Sequence, residues 1–257
     1  MERVLRGLPR GRNQMPGRCM QGDSTKPEAW TRLLEERLGD VLLTDPPYCL
    51  LVRRRKGGDE RDPKGRKNDT GSVVRRFEDV REYREFTKAW LGLAVRHLKP
   101  GAPIVIWTNL LGREPITTVA KSLGYAHQLG EFVWGKRTRE SNSGEELLRV
   151  VETALVFSTS PAAALRFDAP ATPWSAVAGY DDDGEAERWG SHPNHKPFGV
   201  LEPLVRSWSK PGQLIIDAFA GSGSIPAAAV RLGRDTACIE LDASWASRVQ
   251  ERLTRSP

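Results

Sequence analysis

The chain has 257 residues, 39% of them hydrophobic, and its 39 Lys and Arg against 33 Asp and Glu leave a formal net charge of +6. That length and content support one sizeable core, and no apolar run approaches the roughly 20 residues of a membrane span. Three cysteines, Cys19, Cys49 and Cys238, stand apart with no CxxC or Cys/His cluster, which disfavours a disulfide framework or structural zinc and suits a reducing cytoplasm.

The opening MERVLRGLPRGRNQMPGRCMQGD lacks the apolar stretch of a secretory leader. Residues 1–18 read as a basic tail and 19–257 as a single α/β domain. The run VLL leads directly into TDPPY, residues 44–48, a pattern of a buried parallel strand ending in a stiff corner. An insertion at 51–79 follows, with Arg53, Arg54, Arg55, Lys56, Lys64, Arg66 and Lys67. It reads either as a solvated face or as a loop that follows a phosphate backbone.

A helix is predicted in VREYREFTKAWLGLAVRHL, where Tyr83, Phe86, Trp90, Leu93, Ala94 and His97 recur at helical spacing. APIVIWTN is the next strand, GREPITTVAKSLGY a helix, and HQLGEFVWGK and LRVVETALVFST two further strands. Residues 160–190 are rich in Pro, Ala, Gly and Asp without any period, and read as a non-core segment. FGVLEPLVRSWSK then gives a helix, QLIIDAF a strand, IPAAAVRLG a helix, DTACIEL a strand and ASWASRVQERLTR the last helix. Strands alternating with helices imply a mainly parallel sheet covered on both faces.

In LIIDAFAGSGS, Asp217 precedes Gly221, Ser222 and Gly223. Glycines at such a turn let backbone approach a ligand and aim helix N-terminal amides at it. The spacing is neither GxGxxG nor GxxxxGK[ST], which disfavours a dinucleotide or a P-loop triphosphate. Glu240 ends the following strand, about 20 residues on, where an acid receives a ribose diol in nucleotide-binding sheets. Its plainer role is to cap the last helix, a task that Asp242 or Ser244 suits better.

DPPY together with FAGSG, the tetrapeptide first and the glycine turn near the C-terminus, resembles the β-class DNA amino-methyltransferases. That family uses S-adenosylmethionine to methylate the exocyclic amine of adenine or cytosine. SHPNHKPFGVLEPLV, residues 191–205, is similar to the family's HPTQKP segment, with Asn194 and His195 in place of Thr and Gln. Asp23 of MQGDS is similar to the acid that meets the cofactor adenine, and FVWGK and VVETALVFS to further family strands.

The resemblance implies a three-layer Rossmann-like methyltransferase fold, mostly parallel, with helices on both faces and a circularly permuted motif order. It implies S-adenosylmethionine as cofactor, double-stranded DNA as substrate, and methylation at N6 of a flipped adenine, since Asp at the first tetrapeptide position more often accompanies adenine. Asp45, Pro46, Pro47 and Tyr48 would be catalytic. Asp23, Asp45, Lys196, Asp217, Phe219, Gly221, Ser222, Gly223 and Glu240 would hold the cofactor, with Lys196 on its carboxylate and Glu240 on the ribose. No metal is implied. Residues 160–190 become a short target-recognition segment, and the enzyme works in the cytoplasm at the nucleoid. Cytosine N4, an RNA substrate and a non-catalytic DNA-binding subunit of the same fold stay open as alternatives. A homodimer and a cognate restriction enzyme stay open as partners.

Chemistry gives the corner its reason. A base's exocyclic amine is a poor nucleophile because its lone pair is delocalised into the ring. A carboxylate and a backbone carbonyl accepting its two N–H bonds favour pyramidalisation and stabilise the growing positive charge. Two prolines fix φ and offer carbonyls without competing N–H donors. Tyr48 would stack on the extruded base and offset part of the unstacking cost. Cys49 reads as a core thiol, Trp107, Trp134 and Trp208 as core rings, and Trp174 and Trp189 as contacts for DNA or a partner.

Overall fold

The computed structural model describes residues 17–52, 75–139, 146–161, 175–178, 184–189 and 195–255. The seven basic residues assigned to DNA (Arg53, Arg54, Arg55, Lys56, Lys64, Arg66 and Lys67) lie outside them, as does Trp174.

Chain order is β1 (Gly17–Gln21), α1 (Pro27–Leu34), β2 (Val41–Thr44), α2 (Val80–Ala94), β3 (Ile104–Thr108), α3 (Arg113–Ser122), β4 (His127–Arg139) and β5 (Glu146–Ser158). Then come β6 (Ser175–Ala178), α4 (Glu185–Trp189), α5 (Phe198–Trp208), β7 (Leu214–Asp217), α6 (Ser224–Arg231), β8 (Asp235–Glu240) and α7 (Ala243–Arg255). The strands form one sheet in the order β1-β8-β7-β2-β3-β5-β4-β6. From β1 to β3 every neighbouring pair is parallel. β5 runs antiparallel to both β3 and β4, and β6 joins β4 in parallel.

Alternation along each strand sorts the core into two layers. Leu42 of β2 and Ile104 and Ile106 of β3 face α1, α2 and α3, where Trp30, Tyr83, Trp90 and Ile116 are buried. Val41 and Leu43, with Val105 and Trp107, face α5 and α6 instead, against Leu201, Leu204, Trp208 and Ile225. Trp107, Trp134 and Trp208 are core rings, as their strand and helix patterns predict. The three-layer, mostly parallel α/β architecture expected from the alternation is therefore present.

Three local features differ from the sequence reading. β1 begins at Gly17, inside the stretch read as tail, because Gly17 and Arg18 already pair with Thr236 and Ala237 of β8. Helix α1 is not among the predicted elements. It starts with Pro27 in its first turn, where the missing N–H costs nothing, and its buried Ala29, Trp30, Leu33 and Leu34 do recur at helical spacing, a signal the sequence reading passed over. The aperiodic stretch at 160–190 contributes β6 and α4, so part of it extends the sheet. Among the described residues no helix is long and apolar enough to cross a membrane.

Candidate active site

Because β1, β8, β7, β2 and β3 are parallel, their carboxyl ends share one edge, the edge where open α/β sheets bind ligands. Asp23 lies just past β1, Glu240 and Asp217 close β8 and β7, and Asp45 follows β2. Val41 and Leu42 pair with Ile215 and Ile216, so the DPPY corner and the glycine turn leave the sheet side by side. One hydroxyl ties them together. Thr44 Oγ1 donates to Asp217 Oδ1 at 2.7 Å and accepts from the Ala218 N–H at 3.1 Å.

The glycine turn uses left-handed backbone at Gly221 (φ 52°) and Gly223 (φ 77°). A Cβ at Gly223 would also sit 2.9 Å from a Val249 methyl, so glycine is required twice over there. Glu240 holds the turn from the neighbouring strand: Oε2 accepts from the Gly221 N–H at 2.7 Å and Oε1 from the Asp242 N–H at 2.9 Å. Phe219 stands edge-on to Trp90 with ring centroids 5.2 Å apart. Asp23 closes a tight turn by accepting from the Thr25 N–H at 2.8 Å. The adjacent Ser24 hydroxyl donates to the Ala218 carbonyl, and the Ser24 carbonyl accepts from Trp30 Nε1 at 2.8 Å. The β1–α1 corner is thereby fixed to the turn.

Asp217 Oδ1 also accepts from the Phe219 N–H at 3.1 Å, but Oδ2 is buried with no hydrogen-bond partner among the described residues. Burial pushes this carboxyl from 3.8 up to about 7, against the pull of the Thr44 hydroxyl. Such an orphaned acceptor suits a cationic donor supplied by a ligand.

On the other side of Thr44, a buried cluster surrounds Asp45. Lys196 is only 1% exposed. Its N–H reaches Ser224 Oγ at 3.4 Å, while Nζ pairs with Asp45 Oδ2, lies 3.1 Å from Glu152 Oε2 and donates to the Tyr48 hydroxyl at 3.3 Å. Tyr48 OH in turn donates to Glu152 Oε2 at 2.7 Å. Asp45 Oδ1 is buried and has no hydrogen-bond partner among the described residues.

Burial raises the Asp45 carboxyl; Lys196 opposes the rise and Glu152 adds to it. Burial alone would depress the Lys196 ammonium, but the Asp45 and Glu152 carboxylates more than offset that and hold it above the usual lysine value. Tyr48 is pushed well above its ordinary value by burial and by the same two acids, so it remains a phenol.

The structure thus brings Asp45, Tyr48 and Lys196 together and sets Asp217, Phe219, Gly221, Ser222, Gly223 and Glu240 on the adjoining strand ends. Pro46 is buried and Pro47 half-buried beside them. One contact departs from expectation. The Lys196 ammonium is committed to two protein carboxylates here, because a buried charge must be matched by whichever opposite charges lie within reach.

Sequence reasoning misses Glu152, Thr44 and Asn109. Glu152 sits at 5% exposure in a strand whose next residues, Thr153 to Phe157, are all buried, and an acid inside VVETALVFS is the one available signal. Asn109 clips the far side of the corner, donating from Nδ2 to the Cys49 carbonyl at 3.0 Å and accepting from the Gly112 N–H at 3.0 Å. Cys49 is buried and its thiol is pushed up by that burial, a core thiol. Behind the glycine turn, the buried Arg252 of α7 donates to the Ser222 carbonyl at 3.0 Å, pairs with Glu185 of α4 and lies 6.0 Å from the Trp189 ring. No group of three His, Cys, Asp or Glu among the described residues is placed to hold a metal ion.

Known proteins are similar to this chain. Type II methyltransferase M2.DpnII of Streptococcus pneumoniae is 26% identical over 241 residues, covering 83% of this chain and 82% of that one. M1.HpyAVI, solved as a complex with SAM, has a similar fold, with a TM-score of 0.62 at 17% identity over 92% of this chain and 99% of that one. So does the PvuII DNA methyltransferase, a cytosine-N4-specific enzyme, with a TM-score of 0.66 at 17% identity over 92% and 86%. Residues 40–251 match the N6_N4_Mtase family, described as DNA methylase. That match runs from the residue before β2 into α7 and takes in both corners and the Lys196 segment; the chain belongs to the DNA methylase family.

Proposed function

We propose that the protein transfers a methyl group from S-adenosylmethionine to the N6 amine of an adenine extruded from double-stranded DNA. The observation that carries this reading is a pair of buried oxygens, Asp45 Oδ1 and Asp217 Oδ2, unpartnered among the described residues and set at the ends of neighbouring strands. One awaits an amine and the other a cation. Asp217 would take the cofactor's ammonium, with Phe219, Gly221, Ser222 and Gly223 lining its methionine part, Glu240 its ribose and Asp23 its adenine. The buried Asp217 Oδ2, without a partner among the described residues, fits that group. When bound, S-adenosylmethionine supplies a methyl carbon on a sulfonium, whose carbon–sulfur bond pair returns to sulfur as the nitrogen–carbon bond forms.

The protein's own residues orient the amine. Asp45 Oδ1 accepts one N–H and the Pro46 carbonyl the other, while the Tyr48 ring supports the base. Orientation of this kind accounts for roughly 7–11 kcal/mol of barrier in favourable cases. As the nitrogen becomes cationic, one N–H proton passes to Asp45 and then to water. Lys196 and Tyr48 both keep their protons, so neither competes as the acceptor. Asp at the first position of the tetrapeptide supports adenine over cytosine.

The test is to express the chain in a methylation-free host and digest the DNA to nucleosides, with modification sequencing of the same sample. N6-methyladenine at a defined site is expected. N4-methylcytosine would overturn the choice of base, and an Asp45→Ala protein that methylates at the parental rate would overturn the assignment of the acceptor. DNA without any methyl mark, from a protein that still binds it, would point to a non-catalytic subunit.

A further inference from the structure

Asp45, Tyr48 and Lys196 all belong to recognised segments of this chain. Glu152 lies in another, VVETALVFS, without an assigned role, yet it touches two of these residues. It reaches the site because Thr153 pairs with Thr108, the last residue of β3, which leaves Glu152 just beyond that strand's carboxyl end. Its Oε2 accepts from the Tyr48 hydroxyl at 2.7 Å and stands 3.1 Å from Lys196 Nζ.

Charge counting gives the acid a purpose. Lys196 steadies Asp45 by pairing with Oδ2, but a one-to-one pair would cancel the carboxylate's field at the amine. With Glu152 drawing on the same ammonium, the cation is divided between two carboxylates and cancels less of either. A residual negative charge in a buried site is what a nitrogen turning cationic requires. The hydroxyl bond also fixes the Tyr48 ring, whose face is to carry the base.

We propose that Glu152 is a positioning residue for methyl transfer: it sets the Tyr48 ring and, by sharing Lys196, leaves Asp45 an effective acceptor. This rests on the methyl-transfer reading above. Among the described residues, the groups facing Asp45 are Lys196 from the segment before α5, Glu152 from β5, Tyr48 from its own corner, Tyr83 of α2 and, beyond Thr44, Asp217 of β7. Removing the Glu152 charge leaves Lys196 to Asp45 alone, so Asp45 would protonate at lower pH.

The experiment compares the parent with Glu152→Gln and Glu152→Asp in single-turnover methylation of mapped target DNA across pH, with cofactor affinity measured by calorimetry. Glu152→Gln should slow transfer by about ten- to a hundredfold, less than the roughly hundred- to thousandfold lost with a group that contacts the reacting atoms directly. It should also move the acid limb of the profile to lower pH and leave cofactor affinity within about threefold. Glu152→Asp keeps the charge but withdraws it from the Tyr48 hydroxyl, so it should hold the parental acid limb at a reduced rate. It also carries the test if the Gln protein fails to fold. A purely structural role would scale the rate and leave the limb in place, which overturns the proposal, as would parental rates in both variants. A parent that transfers no methyl group overturns the methyl-transfer reading and this proposal together.

Discussion

Replacing Asp217 with Asn asks whether this carboxyl is kept for a cationic ligand at the expense of the ligand-free fold. Its value stands at about 7 instead of 3.8, with burial as the largest cause. A carboxyl raised in the folded state contributes its stability below its unfolded value and loses it as pH climbs through the folded one. Each unit corresponds to about 1.4 kcal/mol, so the full swing from about pH 4 to above pH 7 is about 4 kcal/mol. Asn keeps the acceptor that Thr44 Oγ1 reaches at 2.7 Å and Phe219 N–H at 3.1 Å, but it does not ionise. Urea denaturation of parent and variant at pH 5 and pH 8, followed by tryptophan fluorescence, should show the variant gaining on the parent by about 2.5 kcal/mol between the two. A gap that stays constant, or moves the other way, would mean that Asp217 is already ionised in the fold, and the reasoning would fail. The same acid predicts that cofactor affinity rises through about pH 7 in the parent and is weak and flat with pH in the Asp217→Asn protein.

Lys196→Met leaves Asp45 and Glu152 buried without their cation, which should cost about 3–5 kcal/mol, and more at pH 8 than at pH 5 because protonation relieves the unpaired acids. Chemical denaturation at the two pH values checks it. Gly223→Ala forces a Cβ into left-handed backbone and against Val249. It should lose about 1–2 kcal/mol for the backbone alone and weaken cofactor binding, both measurable by thermal shift with and without cofactor. Neutralising Arg53, Arg54, Arg55 and Lys56 together should flatten the salt dependence of DNA affinity, the log–log slope falling by about 0.9 for each phosphate no longer neutralised. An unchanged slope would assign that loop to solvent.

The two corners are legible in the sequence because each is contiguous: a strand, a stiff or glycine-rich turn, and the residue types its chemistry requires. Their adjacency is legible in part, since alternating strands and helices dictate parallel neighbours with a shared edge. What the sequence does not display is the wiring between them. Lys196 meets Asp45 across 151 residues and Tyr48 meets Glu152 across 104, separations at which no local spacing rule operates. Glu152 shows, in one dimension, only as an acid inside an apolar run, with nothing to say which side chains it meets. Its burial is decided by where β3 ends beside β5. Strand β6 escapes for a different reason: it is short, and its placement follows from pairing with β4 rather than from a pattern of its own.

Thr44 has a consequence for how such a molecule tolerates rearrangement. Its single hydroxyl, with two rungs of ladder beneath it, ties the strand ends that carry Asp45 and Asp217 to each other inside the sheet itself. A chain opened at one surface connection and rejoined at its ends would still lay these two strands together, with Asp45 and Asp217 at the same separation. The order in which the polypeptide visits its strands is therefore free to drift while the distance that matters stays put.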